Sequence, residues 1–225
     1  MQILYIHGFN SSVNSTTYKN LKELFPEHTW TAENFDLTDL QKTKTQIDWI
    51  LKNNHPNVII ASSLGAFYAL GITDSAARIV INPCLKPSLE IPKLNSDIPT
   101  NIIEQWKQEE EKLFEVDSEV RQCCFGIFGN HDELFSYKDD FDNFYHATNL
   151  GMQKSFLVEG GHHSLSKEIL KFYIQKGFDY FHLLSEHCRL AQYIPFDDGS
   201  DKELNKSIAD FQKLLQNYKK HTIIE

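Results

Sequence analysis

The sequence predicts an α/β protein, with about six mostly parallel strands in one sheet and helices on both faces. Two observations carry this. Short β-branched or apolar runs alternate with helical patterns along most of the chain. Polar loops at 7–12, 62–65, 129–135 and 159–164 each follow the C-terminal end of such a run. In an open parallel sheet those ends gather at one edge, where ligands bind. A chain of 225 residues is long enough for one full core, so a single domain over 1–225 is expected.

The elements follow in order. Residues 2–6 are a short apolar strand, and Thr16 to Phe25 carries Leu21, Leu24 and Phe25 at helical spacing until Pro26 stops it. Thr29 to Phe35 reads as a strand. Thr38-Asp39-Leu40-Gln41 has capping-box form ahead of Leu40, Ile47, Ile50 and Leu51 on one helical face. Asn57-Val58-Ile59-Ile60 reads as a buried strand, followed by a helix to about Gly71. The next strand runs from Ala77 to Ile81 and ends at Asn82-Pro83.

From 84 to 119 the pattern turns irregular, with Pro87, Pro92 and Pro99 before a charged helix at 105–111. The stretch is too long for an ordinary connection and is expected to be a cap-like insertion over the end of the sheet. Its Ile91, Leu94, Ile98 and Trp106 are candidates to wall a pocket. Strands at about 123–128 and 153–158 alternate with helices at about 136–150 and 167–187. The remainder, 189–225, is expected to be a helical extension, with a turn at Asp197-Asp198-Gly199-Ser200 and an amphipathic helix through Leu204, Ile208, Phe211, Leu214 and Leu215.

Net charge is −9, from 22 basic and 31 acidic residues, which disfavours nucleic acid and anionic membrane surfaces as partners. No apolar run approaches the roughly 18 residues of a membrane span, and the first residues lack the basic region of a signal peptide. Cys84, Cys123, Cys124 and Cys188 show neither a disulfide framework nor metal-binding spacing. They read as reduced thiols of a cytoplasmic protein.

The most informative stretch is Ala61-Ser62-Ser63-Leu64-Gly65. A serine on a tight strand-to-helix turn, with small residues two before and two after, is the nucleophile elbow of α/β-hydrolases. Ser63 meets the size requirement through Ala61 and Gly65, whereas Ser62 would be flanked by Ile60 and Leu64. A serine here also suits a helix cap, the simpler structural role.

A serine hydroxyl needs a base, and the base an orienting carboxylate. In this fold they follow in the order serine, acid, histidine. The sequence offers Ser63, then Asp132, then His163 or His162, each after a strand. Asp132 also suits a helix cap, with Glu133 and Asp142 as alternative acids. The backbone N–H groups of Leu64 and Phe9 are the expected oxyanion donors. His7 is expected to fix its loop, and Asn10, Ser11 and Ser12 to form the turn that holds the Phe9 amide.

These pieces together resemble the YqiA/UPF0227 family of small α/β-hydrolase-fold esterases. The matching residues are Leu4-Tyr5-Ile6-His7-Gly8-Phe9-Asn10-Ser11-Ser12, Ser62-Ser63-Leu64-Gly65, Asn82-Pro83, Asp132-Glu133 and Glu159-Gly160-Gly161 followed by His163. They span about residues 2 to 165. The resemblance implies a compact α/β-hydrolase fold without its two leading strands. It also implies hydrolysis of carboxylic esters or acyl thioesters, with Ser63, Asp132 and His163 as the triad. Three residues depart from the family pattern. Ala61 and His131 stand where glycines are usual, and His162 replaces a small polar residue. The tail beyond about 190 is also longer than the family's.

The expected protein is therefore a serine carboxylesterase or thioesterase acting on a small acyl substrate, with no cofactor and no metal. Two other classes compete. Gly129-Asn130-His131-Asp132 resembles one motif of metal-dependent phosphoesterases, although the companion Asp-x-His and Gly-Asp-x-x-Asp motifs are missing. A non-catalytic binding protein on a hydrolase scaffold is the other.

Overall fold

The computed structural model describes residues 1–73, 76–113, 115, 117–145, 150–193 and 201–220. Six strands form one sheet: β1 (Gln2–Ile6), β2 (Thr29–Ala32), β3 (Val58–Ser62), β4 (Ala77–Ile81), β5 (Cys124–Gly129) and β6 (Ser155–Val158). Their order is β2-β1-β3-β4-β5-β6, and all five pairings are parallel. Nine helices are described: α1 (Thr16–Leu24), α2 (Leu40–Asn54), α3 (Leu64–Leu70), α4 (Pro87–Leu94), α5 (Thr100–Leu113), α6 (Ser118–Gln122), α7 (Lys138–Tyr145), α8 (Lys167–Ala191) and α9 (Lys202–Lys220).

Period-two alternation divides the core between the two faces of the sheet. Leu4, Ile6, Ile59, Ala61 and Val80 point into one cluster, which α2, α3, α5 and α7 cover. Ile3, Tyr5, Val58, Ile60, Ile79 and Ile81 point into the other, under α1, α8 and α9. From β1 the chain moves outward to β2, then returns across β1 to begin β3 on the opposite side. The C-terminal ends of β1 and β3 therefore flank the switch point of the sheet, where loops leave in opposite directions and open a crevice.

Several local expectations need correction. The strand after Thr29 stops at Ala32. Phe35 and Leu37 beyond it turn inward and are buried, and the Phe35 N–H is donated to His7 Nε2 rather than to a strand. The cap of α2 is Asp39, whose carboxylate accepts the Lys42 N–H. Thr38 instead donates its hydroxyl to Asp36, so the cap lies one residue later than expected, and with Lys42 at the third helical position it is a simple N-cap and not a capping box.

The 84–119 stretch is largely helical. Pro87 opens α4, where its missing N–H costs nothing. Trp106 of α5 is fully buried and its indole N–H donates to the Tyr68 hydroxyl at 3.3 Å. Lys44 of α2 pairs with Glu109 of α5. Ile91 and Ile98 are buried in the same cluster as Trp106, while Leu94 is exposed. The helix expected at about 136–150 is described over Lys138–Tyr145. The turn expected at 197–200 lies outside the described residues. Among the described residues no helix is long and apolar enough to cross a membrane.

Candidate active site

Ser63 sits between β3 and α3 with φ 53° and ψ −125°, in the left-handed half of backbone space that L-residues avoid. Neighbours hold it there from both sides. Its N–H donates to the Ile81 carbonyl at 3.0 Å, and its own carbonyl accepts the N–H groups of Cys84 and Ala66, each at 3.1 Å. Strain of this kind persists only where surrounding structure over-determines it. The Ser63 side chain makes no capping hydrogen bond to α3, so the hydroxyl is left free of the capping role. The Ser62 hydroxyl, by contrast, is paired with Tyr5 Oη at 3.1 Å.

The small flanking residues have a direct cause. A Cβ on Gly65 would stand 2.2 Å from the His7 carbonyl oxygen and 2.6 Å from that of Ile6. Helix α3 therefore begins against the backbone end of β1. A Cβ on Gly8 would meet Ser63 Cβ at 2.9 Å, so the loop after β1 lies directly against the serine.

His7 fixes that loop. Its Nε2 accepts the Phe35 N–H at 3.0 Å, so the ring proton must sit on Nδ1, which donates to the Gly8 carbonyl at 2.8 Å. Burial pushes the His7 pKa below its ordinary value, favouring this neutral form. In a trans peptide the N–H points opposite to the carbonyl. With the Gly8 carbonyl held by the ring, the Phe9 N–H is turned away from it. Among the described residues the Phe9 N–H takes part in no hydrogen bond. The Leu64 N–H, at the first position of α3, has no acceptor within its helix.

Asp132 and His163 come together from two loops. His163 Nδ1 lies 3.0 and 3.1 Å from the two carboxylate oxygens. Asp132 also accepts the N–H groups of Leu134 at 2.8 Å and Phe135 at 3.1 Å. Helix α7 begins only at Lys138, so Asp132 is no helix cap; one side chain shapes its own loop and meets the histidine. Its exposure is 2%, against 18% for His163, whose ring also meets Phe135 edge-on at 5.1 Å.

His162 points elsewhere. It is 66% exposed, with Nδ1 3.6 Å from Glu133 Oε2 and its ring beside His131. The alternative acids are engaged otherwise. Asp142 pairs with Lys138 and Ser155, and Glu133 accepts the His163 backbone N–H at 3.2 Å. Among the described residues no three His, Cys, Asp or Glu side chains stand where they could share a metal ion.

Ser63 and His163 border one cavity of about 300 Å³. Gly8 and Phe9 line it from the first loop, and Ser62 and Ile81 from the sheet. None of its lining comes from 84–119, so Ile91, Leu94, Ile98 and Trp106 do not wall it.

One residue central to this geometry has no counterpart in the sequence-derived set of site residues. Asn82, buried at the end of β4 with φ 44°, joins the acid and histidine loops. Its Nδ2 donates to the carbonyls of His162 and His163, both at 2.9 Å, and its Oδ1 accepts the Gly129 N–H at 2.7 Å. The signal was an asparagine at a strand end directly before proline, a residue type that tolerates the left-handed region.

Solved structures share this architecture. Alpha/beta hydrolase domain-containing protein 10 from mouse superposes with a TM-score of 0.60 at 15% identity, covering 80% of this chain and 90% of that one. Est1E from Butyrivibrio proteoclasticus, in a structure with ferulic acid bound, gives 0.53 at 16% identity, covering 79% of this chain and 89% of that one. At these identities the likeness establishes the α/β-hydrolase fold. No curated protein sequence matches the chain. The model of the uncharacterised protein family UPF0227 matches residues 2–179, and the chain belongs to that family.

Proposed function

We propose that this chain is a serine hydrolase that cleaves a carboxylic ester or acyl thioester of a small acyl substrate through an acyl-enzyme on Ser63. One observation supports this most. His163 turns Nδ1 to the enclosed carboxylate of Asp132 and borders the same cavity as Ser63. That leaves Nε2 as the nitrogen available to the serine hydroxyl.

In the proposed reaction Ser63 Oγ attacks the acyl carbonyl while His163 Nε2 takes its proton. Asp132 keeps the imidazole in the Nδ1–H tautomer and stabilises the imidazolium. The carbonyl oxygen becomes an oxyanion facing the N–H groups of Phe9 and Leu64, the latter at a helix N-terminus. His163 then gives its proton to the leaving alcohol or thiol as the acyl–oxygen or acyl–sulfur bond breaks. Water repeats the cycle on the acyl-enzyme, with the proton passing again through His163. The residues named suffice for every step, with no cofactor.

The test is labelling by a fluorophosphonate, which reacts with activated serines, with the wild type beside Ser63→Ala and the modified peptide identified by mass spectrometry. The expected result is a single adduct on Ser63 that is lost in the variant. Folded protein that takes no label would overturn the proposal.

A further inference from the structure

The cavity beside Ser63 has an unusual lining for a site that would hold an acyl chain. Tyr5, Ser11, Ser15, Thr16, Thr17 and Ser62 all contribute to it, and each carries a hydroxyl. Ser164, next to the histidine, adds another. No Lys, Arg, Asp or Glu lines it. The recess is therefore uncharged apart from His163, and these seven hydroxyl-bearing residues stand beside the apolar side chains of Phe9, Ile81, Leu165 and Leu170.

Its placement relative to the chemistry is also informative. The recess extends from His163 and Ser164 towards the loop before α1 and the first turn of that helix. His163 is the group that returns a proton to the departing atom in the proposed reaction. The leaving group must therefore lie on this side of the serine.

Tyr5 Oη and Ser62 Oγ pair with each other and Ser15 Oγ accepts the Tyr18 N–H, each with hydrogen-bonding capacity to spare. An alkyl group entering the recess would shield that capacity, and the hydroxyls of Ser11, Thr16, Thr17 and Ser164, from solvent without offering a partner, which is costly for each group left unsatisfied. A ligand with its own hydroxyls would supply the partners. Sites built to hydrogen-bond a substrate discriminate strongly against an analogue that lacks the partner groups. The Ser62–Tyr5 pair, at 3.1 Å, supplies both donor and acceptor capacity at the floor of the recess. Tyr5 is held rigidly, stacked on Tyr18 with ring centroids 5.1 Å apart.

We propose that this recess receives the leaving alcohol and selects a small, uncharged, hydroxylated alcohol over an alkyl one of the same size. The proposal rests on the serine-hydrolase reading above and specifies its substrate class. The bond broken is the acyl–oxygen bond of an ester. The alcohol oxygen takes its proton from His163, and in deacylation water supplies the hydroxyl of the released acid while its other proton passes through His163 to Ser63 Oγ.

Two esters with alcohols of equal heavy-atom count test it, glyceryl monobutyrate and pentyl butyrate, which share the acyl group and differ in the alcohol. Wild-type kcat/KM should favour the glyceryl ester by at least about tenfold. In Thr17→Val, and separately in Tyr5→Phe, that ratio should fall several-fold, with fluorophosphonate labelling of Ser63 confirming an assembled site. A preference for the pentyl ester, or a ratio that neither variant changes, overturns the proposal. So does a protein that labels at Ser63 yet cleaves neither ester. Absence of labelling overturns the serine reading itself, so the two failures are distinguishable.

Discussion

Asn82 holds the backbone of His163 through a side-chain hydrogen bond, Nδ2 to carbonyl oxygen at 2.9 Å, from a different strand of the sheet. The same amide binds the His162 carbonyl and the Gly129 N–H. The histidine loop and the end of β5 that leads into the acid loop are thereby tied together by one side chain.

Asn82→Gly keeps the left-handed backbone and removes the side chain. It should cost roughly 1–3 kcal/mol of stability, because buried groups lose their partner. Activity towards an ester should fall on the order of 100-fold, as for an angstrom-scale misplacement of a catalytic group. Denaturant unfolding and kcat measured on the same preparation check both. A folded variant with unchanged kcat would show that the histidine loop holds itself.

Asp132→Asn separates the two jobs of that residue. An amide oxygen can still accept the Leu134 and Phe135 N–H groups, so the fold should survive. If Asp132 sets the His163 tautomer, kcat should drop by about 10⁴-fold. His163→Ala should be at least as severe, and His162→Ala close to wild type, since its ring is exposed and faces Glu133. Steady-state kinetics of the three variants check this, and a dominant effect at His162 would move the base by one residue.

His7 links stability to pH. Its folded-state pKa lies below the ordinary 6.5, chiefly because burial disfavours the charged ring. The unfolded chain therefore binds the proton more readily than the folded one. Stability from the neutral ring is fully present above about 6.5 and is lost as pH falls through the window between that value and the folded one. Protonating Nε2 would also turn the acceptor for the Phe35 N–H into a second donor. Urea midpoints measured from neutral pH downwards should decline in the wild type and decline less in His7→Gln. Equal slopes would assign the acid sensitivity elsewhere.

Trp106 tests how firmly the 84–119 stretch is built into the protein. The ring is fully buried against Tyr68. Trp106→Ala should cost about 3–5 kcal/mol. Hydrogen exchange should show α5 protected together with the sheet, and α5 amides that exchange freely in native protein would mark it as a loosely held flap.

Much of this site was legible in the chain, for identifiable reasons. Ser63 could be chosen over Ser62 because the turn imposes a size limit two residues away on each side, and Gly65 stands where no Cβ fits. The inner strands β1, β3, β4 and β5 were readable because they bury both faces and so form nearly continuous apolar runs. The helices α4 and α6 were obscured because prolines and charges masked their periodicity, and their burial depends on packing against other elements.

By itself the sequence determined the strand–helix alternation, the serine on its tight turn and the chain order of serine, acid and histidine. All of these follow from local sterics and spacing. Only the tertiary structure placed the His163 ring, and not that of His162, against the Asp132 carboxylate, since adjacent loop residues point in different directions. It also gave Asp132 two roles at once, made Asn82 a clamp and lined the cavity with hydroxyls from distant segments. Those properties depend on distances between residues far apart in the chain, which only the assembled sheet fixes.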